Sequence, residues 1–124
     1  MNAPHDFLVT ISVGKTEPGR LTVALTLALA ARTLGKKTAL LLMVEGVHNA
    51  SEGYVDSVDV GAPFAACEDL MESYIAAEGE IYACGACLDH NKVDRSKLMP
   101  EVKVVTGTQA VELLCGAKAS LQFN

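Results

Sequence analysis

The chain has 124 residues, a formal net charge of −5 and hydrophobic side chains at half of its positions. That length supports one domain, residues 1–124, able to bury roughly two thirds of its unfolded surface without disulfide staples. The acidic balance argues against a nucleic-acid surface, and the longest apolar stretch, Leu21 to Ala31, is interrupted by Thr22 and Thr26 and falls short of the roughly 18–20 residues of a membrane span.

Apolar runs alternate with helical patterns, as in an α/β fold. Phe7 to Val13 is rich in β-branched residues and ends at Gly14, which predicts a first strand. Arg20 to Leu34 carries an apolar stripe of Leu21, Ala24, Leu25, Ala28 and Ala31 and is closed by Gly35, the pattern of a helix. Thr38 to Val44 is almost entirely apolar, as expected of a strand covered on both faces. The segment EGVHNASEG that follows is expected to be a loop. Phe64, Cys67, Leu70, Met71 and Tyr74 keep helical spacing as far as Gly79, with Glu68, Asp69 and Glu72 on the wet side. Glu80 to Cys84 is a third strand, Val102 to Thr106 a fourth, and Thr108 to Cys115 a last helix stopped by Gly116. The final run alternates Ala119, Leu121 and Phe123 with Lys118, Ser120 and Gln122, which predicts a half-exposed edge strand.

Two motifs bear on chemistry. Gly14-Lys15-Thr16 spells the end of a phosphate-binding loop, but the glycine required five positions earlier is Val9, inside a strand. The segment is therefore a polar turn that Pro18 and Gly19 lead into the helix. The second motif is Cys84-Gly85-Ala86-Cys87. The N-terminal MNAPHDF lacks the basic and apolar regions of a secretory signal, so the expected location is the cytoplasm, where Cys67, Cys84, Cys87 and Cys115 are thiols.

Cys84 is expected at the carboxyl end of the third strand, the sheet edge where open α/β proteins bind ligands. A helix starting after Gly85 would aim free N–H groups at its sulfur and favour the thiolate, a nucleophile. Cys67 lies in an apolar stripe and Cys115 beside Leu114 in the last helix, so both are expected to serve packing. A thioredoxin-type couple does not fit, because too much α/β structure precedes the motif. A zinc or iron–sulfur site needs four ligands, and Cys84, Cys87 and His90 supply three, so no metal is expected. Haem attachment fails because Leu88 stands where histidine is required. What remains is a single nucleophile, Cys84, with Cys87 auxiliary. Glu45, His48 and Asn49 on the adjoining loop, and His90 nearby in sequence, are candidates to position or protonate the sulfur; the plainer alternative is a loop or surface role. Lys92, Arg95 and Lys97 form a small basic run, either a solvated face or a dock for an acidic partner.

Four segments carry a resemblance: the Ala-rich helix ending LGKK before the second strand, VEGVHNA after it, IYACGACLDHNKVD around the thiol, and VTGTQAVELLCGAKASLQF at the end. In these the chain resembles the DsrE/DsrF-like sulfurtransferases, which include TusD-type sulfur-relay proteins, over nearly its whole length. The resemblance implies a three-layer α/β/α domain with a five-stranded, mainly parallel sheet, assembled into trimers or hexamers. It further implies sulfur carried as a persulfide on Cys84, taken from a donor protein and passed to an acceptor, with no tightly bound cofactor. Cys87 departs from many members of the family. Attack by Cys87 on a Cys84 persulfide would leave a disulfide and make the site a thiol-disulfide or peroxide reductase; the remaining alternative is a non-catalytic ligand-binding or assembly module.

Overall fold

The computed structural model describes residues 4–124. Five strands, β1 (Phe7–Ile11), β2 (Thr38–Leu42), β3 (Glu80–Cys84), β4 (Val102–Val105) and β5 (Ala119–Phe123), form one sheet in the order β4-β3-β2-β1-β5, with every neighbouring pair parallel. Four helices connect or follow them: α1 (Pro18–Thr33), α2 (Cys67–Ala76), α3 (Gly85–His90) and α4 (Gly107–Gly116). Connections between parallel strands are right-handed, so the steps from β1 to β4, all in one direction, place α1, α2 and α3 on one face. The step from β4 back past β1 to β5 reverses direction and puts α4 on the other. The result is three layers.

Side-chain alternation along the strands follows from this. Val9, Ile11, Leu40, Leu42, Ile81 and Ala83 share a core with Leu21, Leu25, Leu70, Tyr74 and Leu88. Leu8, Ala39, Leu41 and Tyr82 pack in a second, smaller core with Ala110 and Leu113 of α4. All five residues of β2 are buried, as its apolar run requires, whereas β5 leaves Ala119, Ser120 and Gln122 exposed at the sheet edge. Proline at the first positions of α1 suits a helix start, because its missing N–H would have had no partner there. The expected α/β architecture and edge position of the last strand are therefore found.

Three expectations change. The segment after β2 is not a loop: Val44–Ala50 and Tyr54–Ser57 are 3-10 helices. Phe64 does not begin α2, because its N–H closes a turn on the Gly61 carbonyl at 3.1 Å and the chain enters the helix only at Cys67, whose N–H is tied to the Val58 carbonyl at 3.0 Å. β1 ends at Ile11, two residues early, where Ser12 turns its N–H to the Phe123 carbonyl. No helix among the described residues is long and apolar enough to cross a membrane.

Candidate functional site

The chain leaves β3 at Cys84 and turns directly into α3, so Cys84 is the residue capping that helix and Cys87 is its third residue. Cap and third residue are the two positions whose side chains face each other at a helix start. Both cysteines are half-buried. Burial pushes the Cys87 thiol up; the nearby Val44 backbone opposes this without cancelling it, and the neighbouring Cys84 adds to the rise.

The elements around the pair are braced. Cys84 lies in register with Val105 of β4. Arg95 donates through Nη2 to the Gly85 carbonyl at 3.2 Å and to Asp89 Oδ1 at 3.1 Å, holding the first turn of α3. Gly85 is also where a side chain would crowd Val104 and the Arg95 guanidinium. Of the basic run read from the sequence, Arg95 therefore faces its own chain, while Lys92 and Lys97 are exposed.

Beside Cys87 opens a pocket of about 340 Å³ lined by Val44, Glu45, Ala86, Cys87, His90 and Asn91. Glu45 and His90 are thus brought beside Cys87. His48 and Asn49 are not. The His48 ring stacks on Tyr54 at 5.7 Å between centroids, and Lys15 Nζ sits 4.9 Å from the same Tyr54 ring. Asn49 is buried and donates from Nδ2 to the Val13 carbonyl at 2.8 Å and the Gly46 carbonyl at 3.0 Å, so it fastens the 3-10 segment to the end of β1. Among the described residues no three His, Cys, Asp or Glu side chains are grouped to hold a metal ion, and Cys84, Cys87 and His90 do not form such a set.

The other cysteines diverge. Cys67 is fully buried, 3.3 Å from Thr22 Oγ1, and because Thr22 gives its single hydroxyl proton to the Pro18 carbonyl at 2.7 Å, the Cys67 S–H is the donor to Thr22. Burial pushes this thiol up, as expected of a packing residue. Cys115 is exposed, which corrects the expectation that it serves the core: the buried side of α4 is formed by Ala110 and Leu113, and Cys115 lies beyond it.

Sequence reasoning missed two residues of the site. Val44 and Asn91 line the pocket beside Cys87, and Asn91 donates from Nδ2 to the carbonyls of Val44 at 3.1 Å and Cys87 at 2.9 Å. A valine that ends an apolar run carries no sign of a site in its residue type. Asn91 does have a faint signal, a polar amide at the end of a short helix next to His90.

No curated protein matches the chain. Among solved structures, the crystal structure of the ychN protein from E. coli superposes with a TM-score of 0.77 at 18% identity, covering 99% of this chain and 100% of that one. This likeness concerns the fold. The DsrE/DsrF-like family matches residues 5–123, and the chain belongs to that family.

Proposed function

We propose that the chain is a single-domain sulfur carrier that accepts sulfur as a persulfide on Cys84 and passes it to an acceptor. The observation that carries this reading is the placement at the start of α3: a partly exposed cysteine at the carboxyl edge of the sheet with a second, half-buried cysteine in the first turn after it. Loading proceeds when the Cys84 thiolate attacks the outer sulfur of a donor persulfide. A Cys84 Sγ–S bond forms, the donor S–S bond breaks, and the electron pair leaves with the donor thiolate. Transfer is the same exchange with an acceptor thiolate. Neither step needs an oxidant, a reductant or a bound cofactor. The pocket beside Cys87, with Glu45 and His90 in its lining, supports a role for these two side chains in positioning the sulfur. The reading includes donor and acceptor proteins in the cytoplasm and a homo-oligomer, trimer or hexamer, whose contacts cover exposed apolar side chains such as Leu34, Val104 and Val111.

A second reading is favoured by the placement of the two cysteines at the cap and the third position of α3. A Cys87 thiolate attacking Cys84 Sγ would form the Cys84–Cys87 disulfide and expel hydrosulfide, and an external dithiol would then have to reduce the pair. The raised Cys87 thiol opposes this route near neutral pH.

The test is intact-mass analysis after exposure to a persulfide donor in a Cys115→Ala background, since exposed Cys115 would itself react. One added sulfur atom is expected, and it is lost on Cys84→Ser but kept on Cys67→Ala. Undiminished loading of the Cys84→Ser protein would overturn the assignment.

A further inference from the structure

The sheet has two edges, β4 and β5, and they are unlike. β4 carries Lys103 and closely follows Pro100, and charge and proline are devices that keep an edge from pairing. β5 lacks both, since Ala119–Phe123 holds no charged residue, proline or glycine. The Ala119 N–H is given to the Asp6 carbonyl at 3.2 Å, and the Phe123 carbonyl accepts from the Ser12 N–H at 2.8 Å. By alternation Ala119, Leu121 and Phe123 turn their backbone groups toward β1, and Ser120 and Gln122 turn theirs away from the sheet. Side chains divide in the same way: the register with Phe7, Val9 and Ile11 puts Ala119, Leu121 and Phe123 on the face that α1 covers, and Ser120 and Gln122 on the other. Beside this edge lies an apolar groove of about 480 Å³, whose lining includes Phe7, Leu27, Ala30, Leu34 and Ala119 and where Leu34 is 76% exposed.

We propose that a second copy of this chain pairs on β5, antiparallel and about a two-fold axis at Leu121, so that one sheet runs through both copies. What selects a second copy is that β5 complements its own reverse. In an antiparallel pair, residues that turn their backbone groups outward must stand opposite one another, and centring the axis on Leu121 is the register that uses all five residues of the strand. Ser120 and Gln122 then face each other, and each such pair exchanges both of its backbone hydrogen bonds. Ala119 faces Phe123, small against large, and Leu121 faces Leu121, while no like charges meet across the seam. The axis keeps each face of the sheet on its own side, so the two α1 helices stand on one face with their apolar grooves turned toward the seam, and pairing removes that surface from water. The inference rests on the homo-oligomer of the proposed reading and sharpens it: a two-fold contact belongs in a hexamer and not in a lone trimer.

The experiment compares the sedimenting mass of wild type at micromolar concentration with that of two doubly substituted proteins, both changed at exposed positions. Ser120→Lys with Gln122→Lys sets lysine against lysine in every Ser120–Gln122 pair and is expected to halve the mass of the assembly. Ser120→Lys with Gln122→Glu sets lysine against glutamate and is expected to keep the wild-type mass. An assembly that the lysine pair leaves intact, or one that both double substitutions disrupt equally, would overturn the seam. A wild type that is monomeric would remove the homo-oligomer reading as well, so the two failures are told apart by the wild type alone. A second measurement places Leu121→Cys in a Cys115→Ala background and treats the protein with diamide. Residues opposed as Leu121 would be lie about 4.5 Å apart at Cα, within disulfide reach, so a covalent dimer is expected that neither Cys115→Ala alone nor Ala119→Cys in that background gives. Cross-linking through Leu121→Cys no stronger than through Ala119→Cys overturns the register, even where a lysine variant does not fold.

Discussion

Burial of Cys87, on the helix α3 that packs against the turn after β2, pushes its thiol up, and this bears on which reaction a loaded site undergoes. Attack on the Cys84 persulfide requires the Cys87 thiolate. Its thiol lies above the ordinary value of 9.0, so the thiolate is scarce at neutrality and emerges only as pH rises past that value. Sulfide release from loaded protein without added thiol is therefore expected to be slow at neutral pH and to climb by about tenfold per pH unit in the alkaline range, and Cys87→Ser is expected to abolish the climb. Release that is fast at neutrality and lost in Cys87→Ser would favour the reductase reading. The pair itself was legible in the sequence, since Cys-x-x-Cys at a strand end places both sulfurs in one helix turn. Cys67 was legible from its apolar stripe. Asn49 was not: the residue type suits a site, but its Nδ2 is committed to the carbonyls of Val13 and Gly46 while its Oδ1 is buried without a partner among the described residues, and no sequence pattern reveals that arrangement.

The elements that periodicity describes well are those it located. β3 and β5 run over the expected residues, and α4 begins one residue earlier than expected, at Gly107, because Thr106 and Gln109 form a reciprocal cap. Glu45–Ala50, the greater part of the 3-10 segment, was read as a loop because it has no helical stripe, and Val44 was read as the end of the second strand, which stops at Leu42; close packing and fixed hydrogen bonds hold the segment instead. Gly46 shows how closely. Its N–H closes a turn on the Met43 carbonyl at 2.9 Å, and a Cβ there would run into the backbone carbonyl of Ile11, which cannot yield without opening the end of β1. Gly46→Ala is therefore expected to lower stability by about 2 kcal/mol, read by denaturant unfolding, and to disturb the pocket that Val44 and Glu45 share with Cys87. Unchanged stability would mean that the turn after β2 is not held as described.

Across the whole molecule, alternating strands and helices made the class legible, but the strand order was not, because nothing local says that the chain returns past β1 after β4. The right-handed crossover rule then explains why only α4 covers the second face. At the start of β3, the opposite end from Cys84, buried His5 lies 2.8 Å from Glu80 Oε2, and Tyr82 donates to Glu80 Oε1 at 2.8 Å. This ties the segment before β1 to β3. Burial pushes the Glu80 carboxyl up, but the hydrogen bonds from Tyr82 and His5 and the charges of His5 and Lys37 outweigh it and hold the group below its ordinary 4.5. A lowered carboxylate contributes stability that is present above the unfolded value and is lost as pH falls through the folded one. Wild-type stability is thus expected to fall with acid below pH 4.5, and Glu80→Gln is expected to flatten that part of the profile. Parallel profiles for the two proteins would show that the tie does not contribute.

The central claim is that sulfur enters on Cys84 and remains there until an acceptor takes it. Its most direct test is peptide mapping by tandem mass spectrometry of protein exposed to a persulfide donor, held at neutral pH without reductant, then mixed with an acceptor thiol. The account predicts one extra sulfur on the Cys84 peptide that persists through the hold and is recovered on the acceptor. A Cys84–Cys87 disulfide with free sulfide before the acceptor is added, or extra sulfur found only on Cys67 or Cys115, would contradict it.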